Sequence, residues 1–78
     1  MSLYSIVFLD ASGHVIGVHA YEARDIWQAL AHANRRLSLR FKWRGQKAID
    51  PHGRVDVLDH RGTTVGRIPC ADAIAAMT

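Results

Sequence analysis

The sequence has little of what cross-links a protein or carries it into a membrane. Its 78 residues contain one cysteine, Cys70, which excludes an internal disulfide framework and gives no indication of secretion. No apolar run approaches the roughly 20 residues that a membrane-spanning helix needs. Asp10 interrupts the first apolar run too early for a signal peptide. These absences predict a soluble, cytoplasmic protein with no membrane partner.

The length leaves room for a single domain, residues 1–78. A chain of this size buries only about 60–65% of its unfolded surface, so its core is small. With 49% hydrophobic and 22% charged residues, the composition is that of an ordinary globular protein. Such a chain has difficulty enclosing a pocket of the several hundred Å³ typical of small-molecule sites, and we identify no small-molecule substrate.

Acidic residues are absent from one stretch, residues 35–47, although the whole chain has a formal charge of only +3. The rest of the chain holds four basic and seven acidic residues, so the positive charge is concentrated in this basic segment. Phosphate groups bind to such clusters of cations, which makes the segment a candidate site for an anion or nucleic acid. The alternative is a solvated edge strand whose cations prevent edge-to-edge aggregation. The candidate residues are Arg35, Arg36, Arg40, Lys42, Arg44 and Lys47.

Two nine-residue stretches repeat one turn pattern 49 positions apart. They are LDASGHVIG at residues 9–17 and LDHRGTTVG at residues 58–66. In each, Asp closes a tight turn and Gly permits positive φ at its end, so each predicts a β-hairpin. A third Asp-x-x-Gly turn, at residues 50–53, lacks the flanking Leu and the trailing Gly. This third copy favours shared turn chemistry over an ancient ββα duplication, which stays the alternative.

The helix that follows the first hairpin has a clear start. Asp25 and Gln28 have the spacing of a capping box. An apolar face then recurs at helical spacing, formed by Ile26, Leu30, Ala33 and Leu37. The end of this helix is ambiguous, because residues 38–44 alternate polar and apolar side chains as a strand does, while Phe41 also continues the helical stripe. We predict a strand over residues 38–44, with a longer helix as the alternative.

The remaining elements complete an α+β fold. The pattern indicates strands over residues 3–9, 15–20, 55–58 and 64–68, a short strand at residues 48–49, and a short helix over residues 71–77. We therefore predict an antiparallel sheet of four to six strands, ordered as ββα and then a β-meander. This sheet packs on one main helix, and a short C-terminal helix follows.

No motif in the sequence indicates catalysis or metal binding. The five histidines are scattered, and each turn aspartate supplies only one carboxylate, so no ligand cluster is predicted. Cys70 follows Pro69 near the start of the last helix, where a thiolate would be favoured, yet a lone buried cysteine is the usual outcome. We predict a non-enzymatic protein with no cofactor and no metal.

The first strand is apolar on both faces, although one main helix covers only one of them. Uncovered apolar surface usually marks an interface, and twofold dimers are the commonest arrangement. We therefore predict a small interaction module that forms a homodimer. The alternative function is binding of nucleic acid or an anionic ligand through the basic segment.

Two parts of the chain resemble a group of short bacterial proteins classed as domains of unknown function. Residues 4–37 contain FLDASGHVIG leading into YEARDIWQALAHA, and residues 55–74, VDVLDHRGTTVGRIPCADAI, look like the closing strand–turn–strand–Pro pattern of those proteins. Residues 40–53, which hold much of the basic segment, match less clearly. The resemblance implies a small α+β domain and transfers no activity and no catalytic residue.

Overall fold

The computed structural model describes residues 1–44 and 50–77, which form two successive ββα units. The four strands make one antiparallel sheet in the order β2-β1-β3-β4, so the predicted α+β class is confirmed, with four strands in the described part of the chain. The predicted short strand at residues 48–49 lies outside the described residues. The elements are β1 (Ser2–Leu9), β2 (Val15–Ala23), α1 (Ile26–Arg44), β3 (Arg54–Leu58), β4 (Thr64–Pro69) and α2 (Cys70–Met77).

The start of α1 follows the spacing in the sequence. Asp25 Oδ1 accepts the N–H of Gln28 at 2.9 Å, and Gln28 Oε1 accepts the N–H of Arg24 at 2.7 Å. These reciprocal hydrogen bonds satisfy backbone donors that the first turn of a helix leaves without partners.

The prediction of a strand over residues 38–44 is wrong, because α1 continues through them to Arg44. Ala33 and Leu37, four residues apart, are fully buried, which holds the preceding turns of the helix against the sheet. Each further residue then gains a helical hydrogen bond at little cost, and no Gly or Pro stops the helix before Gly45. An alternating strand would instead have required a sheet edge beside it.

Two consequences follow from the longer helix. The β-meander predicted after α1 is replaced by one hairpin, β3 and β4, whose first strand pairs with β1. A strand over residues 38–44 would have carried Arg40, Lys42 and Arg44 on one face, and that strand face does not exist because these residues belong to α1.

Both helices pack on the same face of the sheet. Tyr4, Ile6 and Phe8 of β1 and Val55 and Val57 of β3 alternate toward that face and are buried. Along the predicted apolar stripe of α1, Ile26 is exposed and Leu30 is partly buried against the core. The helices contribute Ala29, Ala33, Leu37, Cys70, Ala73 and Ile74 to one shared core.

The central pairing of β1 with β3 is symmetric in register. Val7 pairs with Asp56, and these residues are 49 positions apart, which is also the offset between the two turn stretches. Two pairs lie on either side of it, Ser5 with Leu58 and Leu9 with Arg54. The same offset relates Ser5 to Arg54 and Leu9 to Leu58, so it converts one pair into the other. An approximate twofold axis therefore passes through the Val7–Asp56 pair and relates the two ββα units.

The two hairpin turns correspond in their hydrogen bonds. Asp10 Oδ1 accepts the N–H groups of Ser12 and His14 at 2.9 Å each, and Asp59 Oδ1 accepts the equivalent pair at 2.9 and 3.0 Å. The glycine three residues after each aspartate has a φ of 84° or 80°. Both hairpins also have a register irregularity just before the turn. Turn chemistry alone does not require matching irregularities or a symmetric register, so the structure favours a duplicated ββα unit.

A third turn, at residues 50–53, holds the chain where it returns to the sheet. Asp50 Oδ1 accepts the N–H of His52, and its Oδ2 accepts the N–H of Ala11 in the first hairpin turn, both at 2.9 Å. These hydrogen bonds, that of His52 foremost, lower the pKa of Asp50 below its usual value. The carbonyl of Gly53 accepts the first N–H of α2 at 3.1 Å.

Gly53 has no space for a side chain, because a Cβ there would overlap the carbonyl oxygen of Leu9. We expect Gly53→Ala to lower the free energy of unfolding by about 2 kcal/mol or more, as overpacking against backbone does. Gly17→Ala is the matched control, since the nearest atoms to a Cβ at that position are 3.7 Å away. Urea unfolding followed by circular dichroism measures both variants, and equal losses would contradict the steric explanation.

Candidate anion-binding groove

An open groove of about 390 Å³ lies where α1 crosses the edge strand β2. Its volume is within the range of small-molecule sites, which the size of the chain did not lead us to expect. The groove is lined by Phe8, Gly17, Val18, His19, Arg36, Leu39 and Arg40.

Helical spacing places two arginines at this groove. Arg36 and Arg40 are four residues apart, so they lie on one side of α1, next to the buried Leu37. Leu37 holds this part of the helix on the core, which brings both arginines over β2. The groove therefore depends on the longer helix and could not form if residues 38–44 were a strand.

The floor of the groove comes from a cross-strand pair, Phe8 with Gly17. Because Gly17 has no side chain, the Phe8 ring is open to the end of α1. The guanidinium carbon of Arg40 lies 5.0 Å from the centre of that ring, within the range of a cation–π contact. This contact holds the guanidinium of Arg40 beside the groove.

A stack of three rings lies beside the groove. The His32 ring is parallel to that of Tyr21, with centroids 3.6 Å apart and an interplanar angle of 2°. The centroids of the His19 and His32 rings are 5.4 Å apart. Burial lowers the pKa of His32, and the charges of His19, Arg36 and Arg35 lower it further. His32 is therefore neutral at neutral pH, and its buried Nε2 has no hydrogen-bond partner among the described residues.

The structure brings together only some of the residues of the predicted basic segment. Arg36 and Arg40 line the groove, whereas Arg35 is exposed beside it and acts on His32 through its charge. Lys42 and Arg44 belong to the end of α1, but their side chains lie outside the described part of the structure, as does Lys47 entirely.

The ion pairs of the described residues leave the groove arginines without a carboxylate. Within residues 1–44 and 50–77, these pairs join Asp10 to His14, and Asp56 to Arg54 and Arg67. Arg36 and Arg40 take part in none of them. The groove is thus a concentration of positive charge that no described acidic side chain neutralises.

Sequence reasoning missed the contributions of His19, His32 and Phe8. One signal was available, since His32, Arg36 and Arg40 follow each other at intervals of four and mark a polar edge on a helix. Gly17 and His19 are also two positions apart in β2, so they lie on the same face of that strand. What joins these two patterns is the packing of α1 on the sheet, and no local pattern reveals that.

Cys70 does not have the character of a reactive thiolate. It is buried at the start of α2, and burial, followed by the charge of Asp50, raises the pKa of its thiol. The described residues contain no group of three or more His, Cys, Asp or Glu side chains arranged to hold a metal ion. In the same part of the chain, no helix is long and apolar enough to cross a membrane.

Comparisons of this chain with protein-family models, with curated proteins and with solved structures give no match. The resemblance to the short bacterial proteins therefore stays a prediction, and the candidate site rests on its geometry.

The lowered pKa of His32 predicts a specific dependence of stability on pH. When the folded-state pKa lies below the ordinary value of about 6.5, the unfolded state binds more protons as the pH falls from there. The contribution of neutral His32 to the free energy of unfolding is therefore fully present above the ordinary pKa, and it is lost as the pH falls toward and through the folded-state pKa. We expect His32→Phe, which keeps the stack on Tyr21, to reduce the loss of stability between pH 7.5 and pH 5.

The control for this experiment is His60→Gln, because His60 is exposed in the second hairpin turn. Urea unfolding at pH 7.5 and pH 5 gives the change in the free energy of unfolding for each protein. An unchanged pH dependence in His32→Phe would show that burial does not disfavour protonation of His32.

Proposed function

We propose that this chain is a small non-enzymatic interaction module that self-associates through the open face of its sheet. The observation that supports this proposal is the row of apolar side chains opposite the helices. Tyr4, Ile6 and Phe8 alternate toward the core, so Leu3 and Val7 lie on the other face.

Val18 extends this row onto the edge strand, where it pairs with Val7 across the sheet. Leu3 on the central strand β1 is 50% exposed, and Val18 on the neighbouring strand β2 is 65% exposed. Strands with apolar residues on both faces are normally covered on both sides. An adjacent group of exposed apolar side chains is typical of an interface.

The other half of the open face is polar and is satisfied within the chain. Asp56 is almost fully buried there, and its carboxylate accepts from Arg67 Nε at 2.9 Å and lies 3.3 Å from Arg54 Nε. A second copy of the chain offers the same apolar patch and the same polar flank. A twofold arrangement that places patch on patch therefore buries apolar surface and separates the two ion-paired regions from it.

A charged residue in the patch tests self-association. We expect wild-type protein to elute with twice the mass of one chain and Val18→Glu to elute as a monomer, because two carboxylates would be buried in an apolar interface. Trp27→Glu is the matched control, since Trp27 is 78% exposed on α1 and away from this face. Size-exclusion chromatography with light scattering measures the mass, and a wild-type monomer at millimolar concentration would contradict the proposal.

We also propose, as a second function, that the chain binds an anionic ligand or nucleic acid through Arg36 and Arg40. What favours this proposal is that both arginines line one groove and neither forms an ion pair with a described carboxylate. Arginine clusters without internal partners are the usual binding groups for phosphate. The cytoplasmic location predicted from the sequence is compatible with either function and stays a prediction.

The second function predicts charge-dependent binding of a short single-stranded oligonucleotide. We expect the double variant Arg36→Glu, Arg40→Glu to weaken this binding at least about tenfold, and to reduce its dependence on salt, because two phosphate contacts are lost. Arg61→Glu is the control, since Arg61 is exposed in the second hairpin turn. Fluorescence anisotropy at two salt concentrations measures both quantities, and equal weakening by the two changes would indicate a non-specific charge effect.

A further inference from the structure

We propose that the groove between β2 and α1 is a site for one small organic phosphate, a phosphate monoester attached to a compact apolar body. The inference rests on the second proposed function, whose ligand class it narrows. Arg36 and Arg40 bind the phosphate oxygens, and the body of the ligand lies against Leu39 and Phe8.

The two halves of the chain show that the fold itself does not require this opening. Gly66 is the counterpart of Gly17 in the second ββα unit, at the same offset of 49 positions. At Gly66, the Leu30 side chain occupies the space that a Cβ would enter. At Gly17 the nearest atoms to a Cβ are 3.7 Å away, and one of them is Arg40 Nη1. One half thus fills this space with a leucine, whereas the other leaves it open beside a guanidinium.

The geometry of the two arginines suits a compact anion. The guanidinium of Arg40 is held against Phe8, so less conformational entropy is lost when it binds a ligand. Arg36 lies one helical turn earlier on the same side of α1. Two guanidinium groups in this arrangement can donate hydrogen bonds to different oxygens of one tetrahedral phosphate.

The groove walls add an apolar surface to the anion site. Leu39 is 44% exposed and lines the groove together with the Phe8 ring. A ligand that covers them removes apolar area from water, which an inorganic anion cannot do. The volume of about 390 Å³ accommodates a small organic molecule.

The placement of the other described cations favours a single phosphate over a polymer. Arg54 and Arg67 are engaged by Asp56 on the opposite face of the sheet. A polynucleotide backbone requires a track of cations along one surface, whereas only Arg36 and Arg40 among the described arginines line the groove.

Phenyl phosphate is the probe that tests this inference. Inorganic phosphate and phenol are the comparison ligands, because they represent its charged part and its apolar part separately. We expect phenyl phosphate to bind saturably, inorganic phosphate to bind at least about tenfold more weakly, and phenol to show no saturation, because the site combines charge with apolar contact. Titrations followed by NMR at the His19 imidazole, which lines the groove, report binding at this place.

Three variants identify the binding groups. Arg36→Gln and Arg40→Gln should each weaken phenyl phosphate binding at least about tenfold, since each removes charge-assisted hydrogen bonds. Gly17→Leu should abolish it by filling the groove while both arginines remain. Arg61→Gln, in the exposed second turn, should leave the affinity unchanged. Circular dichroism of each variant establishes that the fold is retained.

The outcomes separate this inference from the proposed function on which it rests. Equal affinity for phenyl phosphate and inorganic phosphate, or phenyl phosphate binding that survives Gly17→Leu, would overturn the inference. If the oligonucleotide still depends on Arg36 and Arg40 in that case, anion binding stands and the ligand is a polymer. If neither probe depends on these arginines, both proposals fall.

Discussion

The pairing of β1 with β3 is the contact on which the rest of the structure depends. It joins two hairpins that are distant in sequence into one sheet, and an isolated hairpin is only marginally stable in water. The register also sets which side chains share a face, because a shift of one residue would move Ile6 and Val57 from the core to solvent. With that register, both helices can cover one face and share one core.

The differences between the two ββα units are as informative as their likeness. In the described part of the chain, α1 has 19 residues and α2 has 8, and α1 contacts strands of both halves of the sheet. Leu30 on this longer helix fills the space over Gly66, and Arg40 near its end lies beside Gly17. The groove thus lies where the two units differ, although their turns, registers and strand pairings match.

Local features were predictable from the sequence because local interactions decide them. The turns at Asp10 and Asp59 and the capping box at Asp25 each depend on residues within four positions. The end of α1 was not predictable, because residues 38–44 satisfy both periodicities and the deciding contact is the burial of Leu37 on a distant sheet. For the same reason the sequence indicated the groove arginines but not Phe8 or His19, whose approach depends on tertiary packing.

Asp56 and Val7 occupy equivalent positions on the approximate axis, yet one is charged and the other is apolar. If β3 paired with β3 of another chain in this register, two Asp56 carboxylates would lie directly opposite each other, and like charges in that position repel. Within one chain, Asp56 instead faces Val7 and is neutralised by Arg54 and Arg67. A single aspartate at the centre of the sheet therefore disfavours pairing of β3 with a second β3, so that β3 takes its place beside β1.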